Sequence, residues 1–141
     1  MEWCAGAGLG ASEEVEESEQ WRGATSLSLR GRKATCTPPS LFHPSLGLAA
    51  SLQTLDLGKN ELAALPPATG DLVALTALDV SRNFLKRLPP ALGRLAVLAT
   101  LDCSSNRLRQ DGMALDALAS LPALQLLDLR YNNQICDVAT A

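Results

Sequence analysis

Residues 75–98 read LTALDVSRNFLKRLPPALGRLAVL, and the first nine of them set the pattern: apolar side chains at Leu75, Leu78 and Val80, then Asn83. Working outward, the same arrangement returns as LQTLDLGKN over residues 52–60, LATLDCSSN over 98–106 and LQLLDLRYN over 124–132. All four segments fit L-x-x-L-x-L-x-x-N, with Val80 and Cys103 standing at the third apolar place. Their starts at residues 52, 75, 98 and 124 are separated by 23, 23 and 26 residues. Self-similarity at such a period marks a chain built from stacked units, none of which buries its apolar face alone.

Each unit divides into two parts. Within the nine-residue segment the period is two, so Leu55 and Leu57 point to one side of a short strand while Thr54, Asp56 and Gly58 point to the other. One side is core and the other is surface. The chain then returns through residues such as Leu62, Leu65 and Leu72, or Leu85, Leu88, Leu92 and Leu95, which face inward between neighbouring coils. Pro66-Pro67 and Pro89-Pro90 fix φ and forbid a helix directly after the turn, so these returns are expected to cross in extended form and end in a short helical turn. The third return, RLRQDGMALDALASLPAL, has no Pro pair. Its Leu115, Leu118 and Leu121 predict a more helical crossing that starts near Asp111 or Gly112. Asn60, Asn83, Asn106 and Asn132 sit where the chain leaves each strand, and an amide there can donate to and accept from buried backbone groups, which predicts a structural ladder.

A weaker unit precedes these four. Leu27, Leu29 and Pro38-Pro39 hold the same mutual offsets as Leu55, Leu57 and Pro66-Pro67, but Arg32 stands at the Asn position, and Ala34 and Thr37 stand at Leu positions. The expected organisation is a disordered acidic tail over residues 1–22, a degenerate capping repeat over 23–51, four repeats over 52–135 and a tail over 136–141. The last coil lacks a further Leu-rich return, so either Ile135, Cys136 and Val138 fold over it or the sequence is a fragment of a longer protein.

The totals agree with one repetitive core. Twenty-eight of the 141 residues are Leu, against two Phe, two Trp and one Tyr. The net charge of −3 conceals an asymmetry: the first twenty residues hold six acids (Glu2, Glu13, Glu14, Glu16, Glu17 and Glu19) and no Lys or Arg. Such a stretch has too little apolar surface to offset its ordering entropy. The chain shows no secretory leader and no apolar run of membrane-spanning length, so a cytoplasmic protein without membrane insertion is expected. Cys4, Cys36, Cys103 and Cys136 are scattered and are expected to be reduced thiols. His43 is the only histidine, and no metal or cofactor site is expected.

The combination LxxLDLxxNxLxxLPxxLGxLxxL, best kept in residues 75–98, resembles intracellular leucine-rich-repeat proteins of the Ras-suppressor and scribble type. The resemblance covers residues 25–135 or so. It implies an α/β fold: a right-handed leucine-rich-repeat solenoid with a short parallel sheet on its concave face and short helical or extended returns on its convex face. It also implies a protein-binding scaffold in intracellular signalling whose partners are small GTPases, phosphatase subunits or polarity proteins. The alternative is a targeting fragment of a larger receptor, kinase or ubiquitin ligase.

On the concave face of such a solenoid, Asp56, Asp79, Asp102 and Asp128 form a column, with adjacent strands ~4.8 Å apart. That column either reads a basic partner or bonds neighbouring Thr, Ser or Arg side chains. Beside it run Gly58, Ser81, Ser104 and Arg130, then Lys59, Arg82, Ser105 and Tyr131. The candidate partner-binding set is therefore Asp56, Lys59, Asp79, Arg82, Asp102, Ser104, Asp128, Arg130 and Tyr131. Arg130 and Tyr131 are of the types that dominate interface hot spots, although Tyr131 is alternatively half covered by the terminal segment. Phe84 is expected in the convex-side core. Arg22, Arg30, Arg32 and Lys33 form a basic cluster with no interleaved aromatic, so a solvated face or intramolecular attraction to the Glu-rich tail is expected there and no nucleic-acid partner. GAGLG at residues 6–10 follows no strand, His43 has no evident nucleophile, and Cys103 stands at an inward apolar position, so catalysis is not expected.

Overall fold

In a computed structural model, residues 21–37, 39–42, 47–109 and 115–132 are described. Five three-residue strands, β1 (Ser26–Ser28), β2 (Thr54–Asp56), β3 (Ala77–Asp79), β4 (Thr100–Asp102) and β5 (Leu126–Asp128), form one parallel sheet in sequence order. The register is that of the repeat: Leu27, Leu55, Leu78, Leu101 and Leu127 pair in turn, as do Ser28, Asp56, Asp79, Asp102 and Asp128. Each strand with the return that follows it makes one coil of a solenoid.

The returns differ as the proline pattern requires. Pro66 and Pro89 are extended, at φ −73° ψ 153° and φ −69° ψ 137°, and each is followed by a 3-10 turn, Pro67–Asp71 or Pro90–Arg94. A further 3-10 turn spans Pro39–Phe42, and a short helix α1 covers Leu48–Ser51. The third return contains the helix α2, Leu115–Ala119; the expected start near Asp111 lies outside the described residues.

Packing follows the leucine pattern. Leu52, Leu75, Leu85, Leu92, Leu95 and Leu98 are fully buried between coils. A fully buried Leu contributes roughly 1.5–3 kcal/mol relative to an exposed one, so this stack outweighs every ion pair on the surface. The cluster continues into the first coil through Leu29, Leu41 and Leu48. Trp21 also joins it, although the sequence places it in the tail. A lone Trp at the edge of an acidic stretch gives no local sign of the apolar wall that waits for it. In the last coil Leu124, Leu127 and Leu129 are only partly buried, and Leu126 is 60% exposed. Residues 1–20 and 133–141, which include Ile135, Cys136 and Val138, lie outside the described residues.

Two local departures have physical consequences. Cys36 is disulfide-bonded while Cys103 is a free, buried thiol, so the expectation of reduced cysteines is corrected at Cys36; spacing along a chain does not reveal what folding brings together. Thr69 stands where the next return has Leu92, is 1% exposed, and its Oγ1 has no hydrogen-bond partner. An orphaned buried hydroxyl costs about 1–3 kcal/mol. Thr69→Val is therefore expected to stabilise the protein by about 1 kcal/mol, read as a higher urea midpoint at unchanged slope.

Candidate protein-docking face

The exposed strand positions make two columns across the sheet. The first is Ser26, Thr54, Ala77, Thr100 and Leu126; the second is Ser28, Asp56, Asp79, Asp102 and Asp128. Together they line an open cavity of about 530 Å³ on the concave face. Small side chains in the first column leave the space, and carboxylates border it.

Each carboxylate first serves the backbone. Oδ1 of Asp56, Asp79, Asp102 and Asp128 accepts from the N–H two residues on, at Gly58, Ser81, Ser104 and Arg130, at 2.9–3.0 Å. A carboxylate in this position closes the strand exit as an Asx turn. Their remaining partners differ. Arg30 Nη1 reaches Asp56 Oδ1 at 3.1 Å and Asp79 Oδ2 at 3.4 Å. Gly58 makes this path open, since a Cβ there would fall on the Arg30 guanidinium. Arg130 pairs with Asp128 through Nε and Nη2, at 2.8 Å for the closest contact, and these bonds hold the Asp128 carboxyl below its ordinary range and raise Arg130. Asp102 accepts only the Ser104 hydroxyl, at 2.7 Å, beside the N–H bond, and no cation among the described residues pairs with it. Arg30 is thus drawn into the concave face and is not part of a solvated basic cluster.

The candidate residues separate into two places. Asp56, Asp79, Asp102 and Asp128 border the cavity. Lys59, Arg82 and Tyr131 do not: with Ser105 they occupy the turn after each strand, at φ 55°, 56°, 62° and 55°, and form a ridge along one edge of the sheet. Ser104 and Arg130 lie between, near the Asp side chains they bond. In their column Gly58 and Ser81 are buried and offer no surface. Tyr131 is 72% exposed. Phe84 is 40% exposed and not in the core; the Arg107 guanidinium lies 4.3 Å from its ring centroid, because position 84 follows the inward Asn83 and turns outward. The residues missed by sequence reasoning are the first column, above all Thr100 and Leu126. Strict alternation with the Asp column marked them.

Behind the ridge lies the Asn ladder. Asn83 Nδ2 donates to the carbonyls of Leu57, Val80 and Ser81, and its Oδ1 accepts from Leu62 N–H. Asn106 repeats this with Val80, Cys103, Ser104 and Leu85. Asn60 reaches Leu29, Leu57 and Gly58, and accepts from Arg32 and Ala34 in the coil that has no Asn of its own. Asn132 closes the series with Cys103, Leu129, Arg130 and Leu108.

Residues 50–108 match the family model described as leucine rich repeat. The fold is that of a leucine-rich-repeat solenoid. Among solved structures the chain is similar to an LRR protein of Leptospira interrogans, 24% identical over 86% of this chain and 34% of that one, with a TM-score of 0.57. It is also similar to the leucine-rich repeat domain of the type III effector XopL, 20% identical over 88% of this chain and 57% of that one, with a TM-score of 0.54. The chain thus spans about a third and somewhat over half of these two chains. No curated protein matches it by sequence.

The sheet face and the strand-exit ridge are the two surfaces that this fold presents. Burial pushes the Cys103 thiol far up, with Asp102, Asp79 and Asp128 adding to the rise, so it stays protonated and inert at neutral pH. No group of three His, Cys, Asp or Glu among the described residues is placed to hold a metal ion. No described helix is long and apolar enough to cross a membrane.

Proposed function

We propose that the protein is an interaction module that docks a protein partner in the concave groove, as an adaptor in signalling. The observation that carries this reading is the 530 Å³ cavity whose floor is Thr54, Ala77 and Thr100 and on whose border Asp102 has no cation partner among the described residues. A partner's Lys or Arg fits Asp102 as Arg30 fits Asp56 and Asp79, and exposed Leu126 offers an apolar contact beside it. A small GTPase or a phosphatase subunit is the partner class in this reading. The limited share of the matched chains that this one spans favours a second form of it, in which the repeats are the recognition segment of a larger receptor, kinase or ubiquitin ligase. A cytoplasmic location belongs to the same reading, in which a disulfide such as that at Cys36 is uncommon.

The test fills the groove. Ala77→Arg with Thr100→Arg leaves the buried Leu stack untouched and should abolish capture of partners that the parent chain retains, with unchanged circular dichroism. Equal capture by both proteins removes the concave groove from the mechanism.

A further inference from the structure

The strand-exit ridge carries a second surface with different chemistry. Lys59 and Arg82 stand in adjacent coils, joined through the Lys59 N–H to Ser81 C=O bond at 3.0 Å, and both are exposed. In the neighbouring column Glu61, Phe84 and Arg107 follow one another, tied by Phe84 N–H to Leu62 C=O and Arg107 N–H to Leu85 C=O. Among the described residues none of Lys59, Arg82 and Arg107 has a carboxylate within ion-pair distance, in contrast to Arg30, Arg94 and Arg130. Lys59, Arg82 and Arg107 therefore stand on three successive coils, whose neighbouring strands lie ~5 Å apart, with Glu61 in the same patch. For Lys59 and Arg82 the backbone placement is costly. The turn needs φ near 55°, which Gly or Asn adopts readily and Lys or Arg does not, yet these long cations stand there.

Phe84 gives the patch its specificity. The Arg107 guanidinium lies over the ring, 4.3 Å from its centroid, and a guanidinium held against a ring face keeps its in-plane N–H donors for a carboxylate. The ring itself is 40% exposed and offers an apolar contact between Arg82 and Arg107.

We propose that the ridge formed by Lys59, Arg82, Phe84 and Arg107 is a docking site for a short acidic segment of a partner protein, one that sets two or three carboxylates around an apolar side chain. A nucleic acid is disfavoured by the Asp56–Asp79–Asp102–Asp128 column on the adjoining face, which repels a continuous phosphate backbone. The ridge does not depend on the concave-groove reading, and the two surfaces are tested by different substitutions.

The experiment measures the anisotropy of a labelled Glu-rich peptide containing one central Phe, titrated with the full chain at low salt. Lys59→Glu with Arg82→Glu should weaken binding about tenfold or more, Arg82→Lys should keep most of it, and added salt should weaken the parent alone. Ala77→Arg should leave binding unchanged. The proposal is overturned if the peptide does not bind, if the charge-reversed protein binds it equally, or if single-stranded oligo-dT of matched charge binds more tightly. Binding seen only after Glu13, Glu14, Glu16, Glu17 and Glu19 are all changed to Gln would overturn the partner in favour of the chain's own N-terminal segment.

Discussion

Asn83→Ala is expected to cost about 2–3 kcal/mol. The side chain makes four hydrogen bonds, to the carbonyls of Leu57, Val80 and Ser81 and from the N–H of Leu62, and all are buried. Alanine leaves the buried Leu62 N–H without a partner, a loss of roughly 1–3 kcal/mol, whereas the carbonyls of Leu57, Val80 and Ser81 each lose one donor and keep another, from Asn60 Nδ2, Asn106 Nδ2 and Lys59 N–H. Asn83→Asp should be no better, because a carboxylate faces three carbonyl oxygens and donates to none. The same change at Asn132 should cost less, since two of its four bonds are only partly buried. Urea unfolding followed by circular dichroism gives the ranking. A loss below about 1 kcal/mol at Asn83 would show that the ladder follows from the turn and does not hold it.

Gly70→Val should destabilise by about 3 kcal/mol or more, at or above the upper end of ordinary overpacking. A Cβ at Gly70 would fall on the carbonyl oxygen of Ala91 and lie 2.8 Å from that residue's carbonyl carbon and Cβ. The obstruction is the backbone of the next return, so no rotamer change relieves it. Gly93 is the equivalent residue one coil on, and its Cβ would meet Ala117 Cβ at 3.3 Å and Ser120 Oγ at 3.4 Å. Gly93→Ala is therefore expected to cost under about 1 kcal/mol. Equal thermal shifts for the two variants would mean that the returns slide freely past each other and that the close approach at Gly70 is not needed.

These two glycines mark where sequence reading stops. Both occupy the same place in the repeat, and nothing local distinguishes them; the difference lies in what each faces, a 3-10 turn at Pro90–Arg94 or the helix α2 at Leu115–Ala119. The docking face divides in the same way. The Asp column was legible because residues at one repeat position stack in register. Its neutralisation was not, because Arg30 reaches Asp56 and Asp79 from 26 and 49 residues away, along a path opened by Gly58. Lys59, Arg82 and Tyr131 look like groove residues when numbered along the strand, but the chain has turned by then and they stand on the ridge.

By itself, the sequence determined the period, the strand positions, the buried leucines and the helical character of the third return. These are local properties: the same side chains at the same spacing meet the same backbone conformation in every coil, and stacking repeats the result. Only the tertiary structure decided that Trp21 is core, that Cys36 is disulfide-bonded, that Phe84 lies outward under Arg107, and that Asp102, alone among the carboxylates of its column, has no cation partner among the described residues. Each of these depends on the reach of one side chain into a neighbouring coil, and a periodic pattern carries no information about that reach.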